Sequence, residues 1–218
     1  MFVKLSNLHI QAFVRAIEPY RDVIRFILCL LAAHFFWKFT VIADEHGGGP
    51  VVWMGWDISA PFDILSAHIT RVCYWVISHL RNTIRLIPPD VLRFDSGISI
   101  GIVWSCTALK QSFIWLVIML FARGCWKRKL WFIPFGWLCI YVFNIFRITT
   151  VALLVEYHHN WFDFLHTYLF KYLFYGMLFL LWVWWVEKIG KKSTRLSPQV
   201  KGRNNPHDFS AGEEDNKE

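Results

Sequence analysis

Apolar positions fall into four long runs, at residues 23–43, 98–122, 131–155 and 164–186. A helix needs about 20 mostly apolar residues to cross a bilayer, so each run predicts a spanning helix. The first carries Arg25 and Lys38 near its two ends, where long basic side chains reach the headgroups. It is too long for a cleavable signal peptide and lacks a small-residue cleavage site. The fourth closes on an aromatic stretch, 179–186, suited to a membrane interface.

Residues 57–87 follow a different pattern. Ile58, Phe62, Leu65, Ile69, Val72, Val76, Leu80, Ile84 and Ile87 recur at spacings of three and four, the period of a helix face. Ser59, Asp63, Ser66, Thr70, Arg71, Ser78, Arg81 and Arg85 occupy the other side. This predicts an amphipathic helix lying in the interface or against the bundle, ended by Pro88-Pro89. The expected fold is therefore all-α: a polytopic transmembrane helix bundle of four spans plus one long amphipathic or re-entrant helix. Five spans is the alternative. Residues 1–22 read as a cytoplasmic amphipathic segment, 23–190 as the transmembrane catalytic domain, and 191–218 as a disordered cytoplasmic tail with no periodicity.

Composition agrees with the pattern. Of 218 residues, 56% are hydrophobic and only 18% charged, against about a quarter charged in soluble domains. Thirteen Trp and twenty Phe suit a chain with two interfaces to anchor. These proportions argue against disorder, nucleic-acid binding and a water-soluble enzyme. The net charge of +7 then reports topology, because Lys and Arg concentrate in cytoplasmic segments. Arg123, Lys127, Arg128 and Lys129 mark loop 123–130 as cytoplasmic. Lys188, Lys191, Lys192 and Arg195 do the same after the last run, as do Lys4, Arg15, Arg21 and Arg25 before the first. The three agree only if residues 57–87 do not cross, which leaves Arg71, Arg81, Arg85 and Arg93 outside.

Ionisable or reactive groups inside spans are costly and mark function. Cys106 lies eight residues into the second run, roughly 12 Å deep at 1.5 Å per residue. Asn144 and Arg147 share a face of the third by their i, i+3 spacing, and Arg147 lies at a similar depth. His166 opens the fourth run at the outer mouth. A Cys, an Arg and a His converging at one level suggest cysteine acyl transfer. The thiolate attacks, His carries the proton and the guanidinium steadies a developing oxyanion. Lys110, one turn after Cys106, is a supporting or substrate-binding group. Taken alone, a cysteine in an apolar helix is a small buried residue, the reading given to Cys29, Cys73, Cys125 and Cys139. Lys171 reads as snorkelling. A metal set drawn from Glu156, His158, His159, Asp163 and His166 lacks a recurring ligand motif, so no metal or cofactor is expected.

At these residues the chain resembles the exosortase/archaeosortase family of membrane cysteine transpeptidases. The likeness rests on the run Cys106 to Lys110, on Asn144 to Ile148 (Asn-Ile-Phe-Arg-Ile) and on the later His166, and it covers about residues 90–188. Ala108 stands where that family usually has Gly, and Lys110 where Arg is common. The resemblance implies an envelope protein-sorting enzyme of the bacterial cytoplasmic (inner) membrane, with its active site facing outward. Its substrates would be exported proteins ending in a short motif, a spanning helix and a basic tail. By that analogy Cys106 forms a thioester, Arg147 stabilises charge, His166 is the acid/base, and an envelope nucleophile or water releases the product. Two other readings stay open: a non-catalytic assembly or scaffold protein whose polar residues pair helices, and a small transporter binding an anion at Arg147 and Lys110.

Overall fold

The computed structural model describes residues 18–44, 49–81, 84–157 and 164–190. The chain is mostly helical. Helix α1 spans Arg21–Thr40, α2 Ser59–Leu80, α3 Leu109–Phe121, α4 Trp126–Tyr157 and α5 Phe170–Trp184. The helix continues without a break on both sides of α5, π-wound over Phe164–Leu169 and Trp185–Gly190.

Ring contacts and ion pairs fix how the helices run. Asp22 and Arg123 pair at 3.7 Å at one end of α1 and α3, and Phe36 packs on Phe113 at the other. Next, α3 lies antiparallel to α4: Trp115 donates to the Ile133 carbonyl, and Trp137 donates back to the Ser112 carbonyl. Phe143 meets Phe174 and Phe132 meets Trp185, so α5 runs antiparallel to α4. Phe26 on Trp182 brings α5 back beside α1. The result is an up-down-up-down bundle of α1, α3, α4 and α5. Its core holds Phe26, Ile114, Trp115, Phe132, Phe174 and Leu178.

Among the described residues two helices, α1 and α4, are long and apolar enough to cross a membrane. At 20 residues, α1 is about 30 Å long, the thickness of a hydrocarbon core. Only Phe26 and Ala33 of α1 are buried. Leu28, Phe35, Phe36 and Phe39 are all exposed, more apolar surface than water-facing helices show. With its 32 residues, α4 runs to about 48 Å and so overshoots the bundle.

The overshooting half of α4 is covered by a second layer. Helix α2 lies along it in the same direction: His68 bonds to Tyr141 at 3.0 Å, and Arg81 to Glu156 at 3.0 Å. Two small antiparallel sheets complete this cap. One joins β1 (Val41–Ile42), β2 (Val52–Trp53) and β3 (Trp56–Asp57) in that order. The other joins β4 (Ile84–Ile87), β5 (Val91–Phe94) and β6 (Ser99–Gly101), with Leu86 opposite Leu92 and Leu92 opposite Ile100. A second core of Ile69, Cys73, Ile77, Leu92, Phe94 and Ile148 fills the space between.

Several sequence expectations change here. The first run forms α1 but ends at Thr40, where the chain turns into β1. The amphipathic helix ends at Leu80 rather than residue 87. The segment Ile84–Ile87 is a strand, and Pro88-Pro89 lie in the turn of a β-hairpin. In β4 and β5, Ile84, Leu92 and Phe94 point inward while Arg85 and Arg93 stay exposed, a period of two that overrides the helical spacing. The buried stripe of α2 is Phe62, Ser66, Ile69, Thr70, Cys73 and Ile77, rotated from the apolar face read from the sequence. Ser66 and Thr70 tolerate burial because their hydroxyls donate to the Asp63 and Ser66 carbonyls of the same helix. The run 98–122 is not one helix: Ser99–Gly101 is β6, Trp104–Thr107 is a 3-10 turn, and only the 13 residues of α3 are α-helical. The N-terminal segment up to residue 17 and the tail 191–218 lie outside the described residues.

Candidate active site

Asn144 and Arg147 sit where the two cores meet along α4. Below them Phe132, Ile133 and Ile140 belong to the bundle core, and above them Ile148 and Ala152 belong to the cap core. Both polar residues are buried, Asn144 to 1% exposure and Arg147 to 7%. A polar layer one turn thick between two apolar cores carries a desolvation cost, so it calls for partners.

The partner is the turn that carries Cys106. Asn144 Nδ2 donates to the Cys106 carbonyl at 2.7 Å. The turn closes locally: Cys106 N donates to the Val103 carbonyl, and Thr107 Oγ1 to the Trp104 carbonyl. Ala108 follows at φ +58°, in the left-handed region, and breaks the chain away from α3, which begins at Leu109. Glycine enters that region without steric cost. Cys106 is half-buried and packs on the cap core, while Ala108 belongs to the bundle core. The nucleophile candidate therefore lies in a 3-10 turn just before α3 begins rather than eight residues inside a helix, and the depth of roughly 12 Å read from the sequence does not hold. For the same reason Lys110 is not one helical turn from Cys106: the left-handed residue separates them.

Arg147 is on the next turn of α4 from Asn144, and its guanidinium and the Cys106 thiol interact electrostatically. Cys73 of α2 is buried in the cap core against which Cys106 packs, and burial pushes its thiol up to about 12. The buried Thr149 hydroxyl lies against the Cys73 sulfur and makes no hydrogen bond of good geometry. Asn144 Oδ1 is likewise buried with no hydrogen-bond partner among the described residues. An unsatisfied buried acceptor costs about 1–3 kcal/mol.

The structure thus brings Cys106, Asn144 and Arg147 together. His166 falls in the π turn Phe164–Leu169, and its side chain lies outside the described residues. Phe146 on Phe170 fixes the register of α4 and α5, which carries the His166 backbone to about the level of Thr149 and Thr150. Of the metal set weighed above, Glu156 accepts from Arg81, and His158, His159 and Asp163 lie outside the described residues. Sequence reasoning missed that Cys73, Thr149 and the His68–Tyr141 pair would adjoin the site. Nothing local signals it, since α2 and α4 meet only in the folded chain. Comparison of the chain with protein-family models, curated proteins and solved structures returns no match.

Proposed function

We propose that the protein is a membrane cysteine transpeptidase or protease of the exosortase type, acting on exported proteins at the outward end of the bundle. The observation that carries this reading is the buried layer at the core junction, where Asn144 holds the Cys106 turn and the buried Arg147, one turn along α4, interacts electrostatically with the thiol. The exposed apolar surface of α1 supports a membrane location, and the basic segments 123–130 and 188–195 support an outward-facing cap.

The chemistry follows from the groups at hand. The Cys106 sulfur attacks the carbonyl carbon of the substrate's sorting motif, forming a C–S bond. Arg147 offsets the charge that develops on the carbonyl oxygen. His166 takes the thiol proton and delivers it to the departing amine as the C–N bond breaks. An envelope amine then displaces sulfur to give a new amide, or water gives the free acid, and the thiol is restored. Asn144 keeps the nucleophile's turn in place through its Nδ2.

Co-expression with an exported reporter ending in a short motif, an apolar helix and a basic cluster tests the reading. Wild type cleaves the reporter, while Cys106→Ala and Arg147→Ala accumulate in the membrane and leave it intact. Normal cleavage by both variants would sink the proposal. The Asn144–Cys106 bond also suits a non-catalytic assembly factor in which it only ties α4 to the cap. That rival requires full function in Cys106→Ser and Arg147→Lys, since both keep the packing and the charge.

A further inference from the structure

The β2–β3 hairpin turns on two residues, Met54 and Gly55, both at positive φ (+48° and +88°). This is the tight turn whose twist matches its strands, and asparagine or aspartate followed by glycine is its usual pair. Short polar side chains tolerate the left-handed region. Methionine carries strain there, yet it turns an apolar side chain outward, 64% exposed. Its flanks Trp53 and Trp56 pair across the strands and are exposed too, Trp56 to 76%. Residues 51–56 carry no charge.

Both ends of the small sheet fix where this tip points. Strand β1 leaves α1 directly after Thr40, and β2 returns antiparallel to it, with Val41 opposite Trp53. The tip therefore points back toward α1, and Met54 N donates to the Thr40 carbonyl at 3.4 Å. At the far end, Val51 N donates to Ser59 Oγ and Ile58 N to the Val51 carbonyl, which fastens the sheet to the start of α2. Because the length of α1 matches a hydrocarbon core, its last turn marks the bilayer boundary on the cap side. Phe35 and Phe39 stack at 6.2 Å near that end of α1 and stand exposed. The tip thus prolongs the exposed apolar surface of α1 at the depth where tryptophan gathers in membrane proteins. The charged Asp57 sits opposite Val52, at the end of the strands away from the tip.

We propose that Trp53, Met54 and Trp56 dip into the headgroup–acyl boundary of the bilayer leaflet on the cap side and anchor the cap there. The inference rests on the membrane location proposed above and is independent of the cysteine chemistry. Trp104 of the Cys106 turn donates to the Asp44 carbonyl just beyond β1, so an anchored sheet also sets the height of that turn above the bilayer.

Photocrosslinking of the full chain in vesicles of phosphatidylethanolamine and phosphatidylglycerol tests it. In Met54→benzoylphenylalanine, irradiation is expected to add the mass of a phospholipid to the peptide carrying position 54. Pro50→benzoylphenylalanine, at the far end of the sheet and also exposed, is expected to lack that adduct. No lipid adduct at position 54, or equal adducts at the two positions, would overturn the anchor. A crosslink from position 54 to a second copy of the chain would overturn it in favour of self-association. Should the position 54 variant fail to accumulate, Trp56→benzoylphenylalanine serves, an aromatic for an aromatic at an exposed site, with the same outcomes. Alkaline extraction of membranes keeps the two readings apart. A wild-type chain released from the bilayer sinks the membrane location, whereas one that stays but takes no lipid at the hairpin tip sinks only the anchor.

Discussion

Cys106 is held by its two sides: the Asn144 amide on its carbonyl, and the left-handed Ala108 that follows. Removing the amide in Asn144→Ala leaves a carbonyl without its donor and loses about 1–3 kcal/mol, read as a lower unfolding midpoint in denaturant. Activity falls further than stability, because the nucleophile's turn loosens. Ala108→Gly relieves the left-handed strain and keeps fold and activity, whereas Ala108→Val puts a β-branched residue there and costs about 1–2 kcal/mol more. The neighbouring thiols separate by environment. In a chain keeping only Cys73 and Cys106, maleimide at pH 8 labels the half-buried Cys106. Cys73 is fully buried and its thiol is pushed up to about 12, so it stays protonated at that pH and reacts only after unfolding. Labelling of Cys73 in the native protein would contradict the packing described.

Helix packing at the level of single elements explains what the sequence reveals and what it conceals. Helices α1, α4 and α5 were legible because a long apolar run satisfies its backbone most readily as an internally hydrogen-bonded helix, whereas the run 98–122 holds only the 13 helical residues of α3. The strands were not: Ile84 and Ile87 satisfy i, i+3 as readily as they satisfy a strand beginning, and short apolar runs do not discriminate. Only the pairing of Ile84 with Phe94 across the Pro88-Pro89 turn decides it. The Asn144–Arg147 face of α4 was readable from spacing, while its contact with the Cys106 turn depends on the strand and left-handed break that move Cys106 out of the helix. Close approach of α3 to α4 depends on Gly136, where a Cβ would collide with the Trp115 indole. Gly136→Ala should therefore cost about 1–3 kcal/mol through forced repacking, seen as a lower unfolding temperature. Just before helix α2, Asp57 Oδ1 accepts from the Ser59 N–H at 2.9 Å and its hydroxyl at 2.6 Å. These bonds hold the Asp57 carboxyl below its usual range. A carboxyl depressed on folding stabilises above the unfolded value and loses that effect as pH falls through the folded value. Wild type should thus lose stability on acidification below about pH 4 more steeply than Asp57→Asn, in melts across that range.

Across the whole molecule, α4 is the shared axle of two cores, and the candidate chemistry occupies the seam between them. That arrangement puts the candidate nucleophile Cys106 at the end of the bundle, under a folded cap, instead of inside a long apolar helix. The proposed orientation has its own test: in intact cells an impermeant maleimide should label Cys106 and spare Cys125, which is exposed in the loop at the opposite end, until the membrane is permeabilised. The most direct test of the central claim is mass analysis of the peptide carrying Cys106, after the enzyme meets the exported reporter and the reaction is quenched in acid. The account predicts an adduct equal to the reporter's N-terminal fragment, removed by hydroxylamine as a thioester is, and absent in Cys106→Ala. Cleavage of the reporter with Cys106 unmodified, or undiminished cleavage by Cys106→Ala, would contradict it.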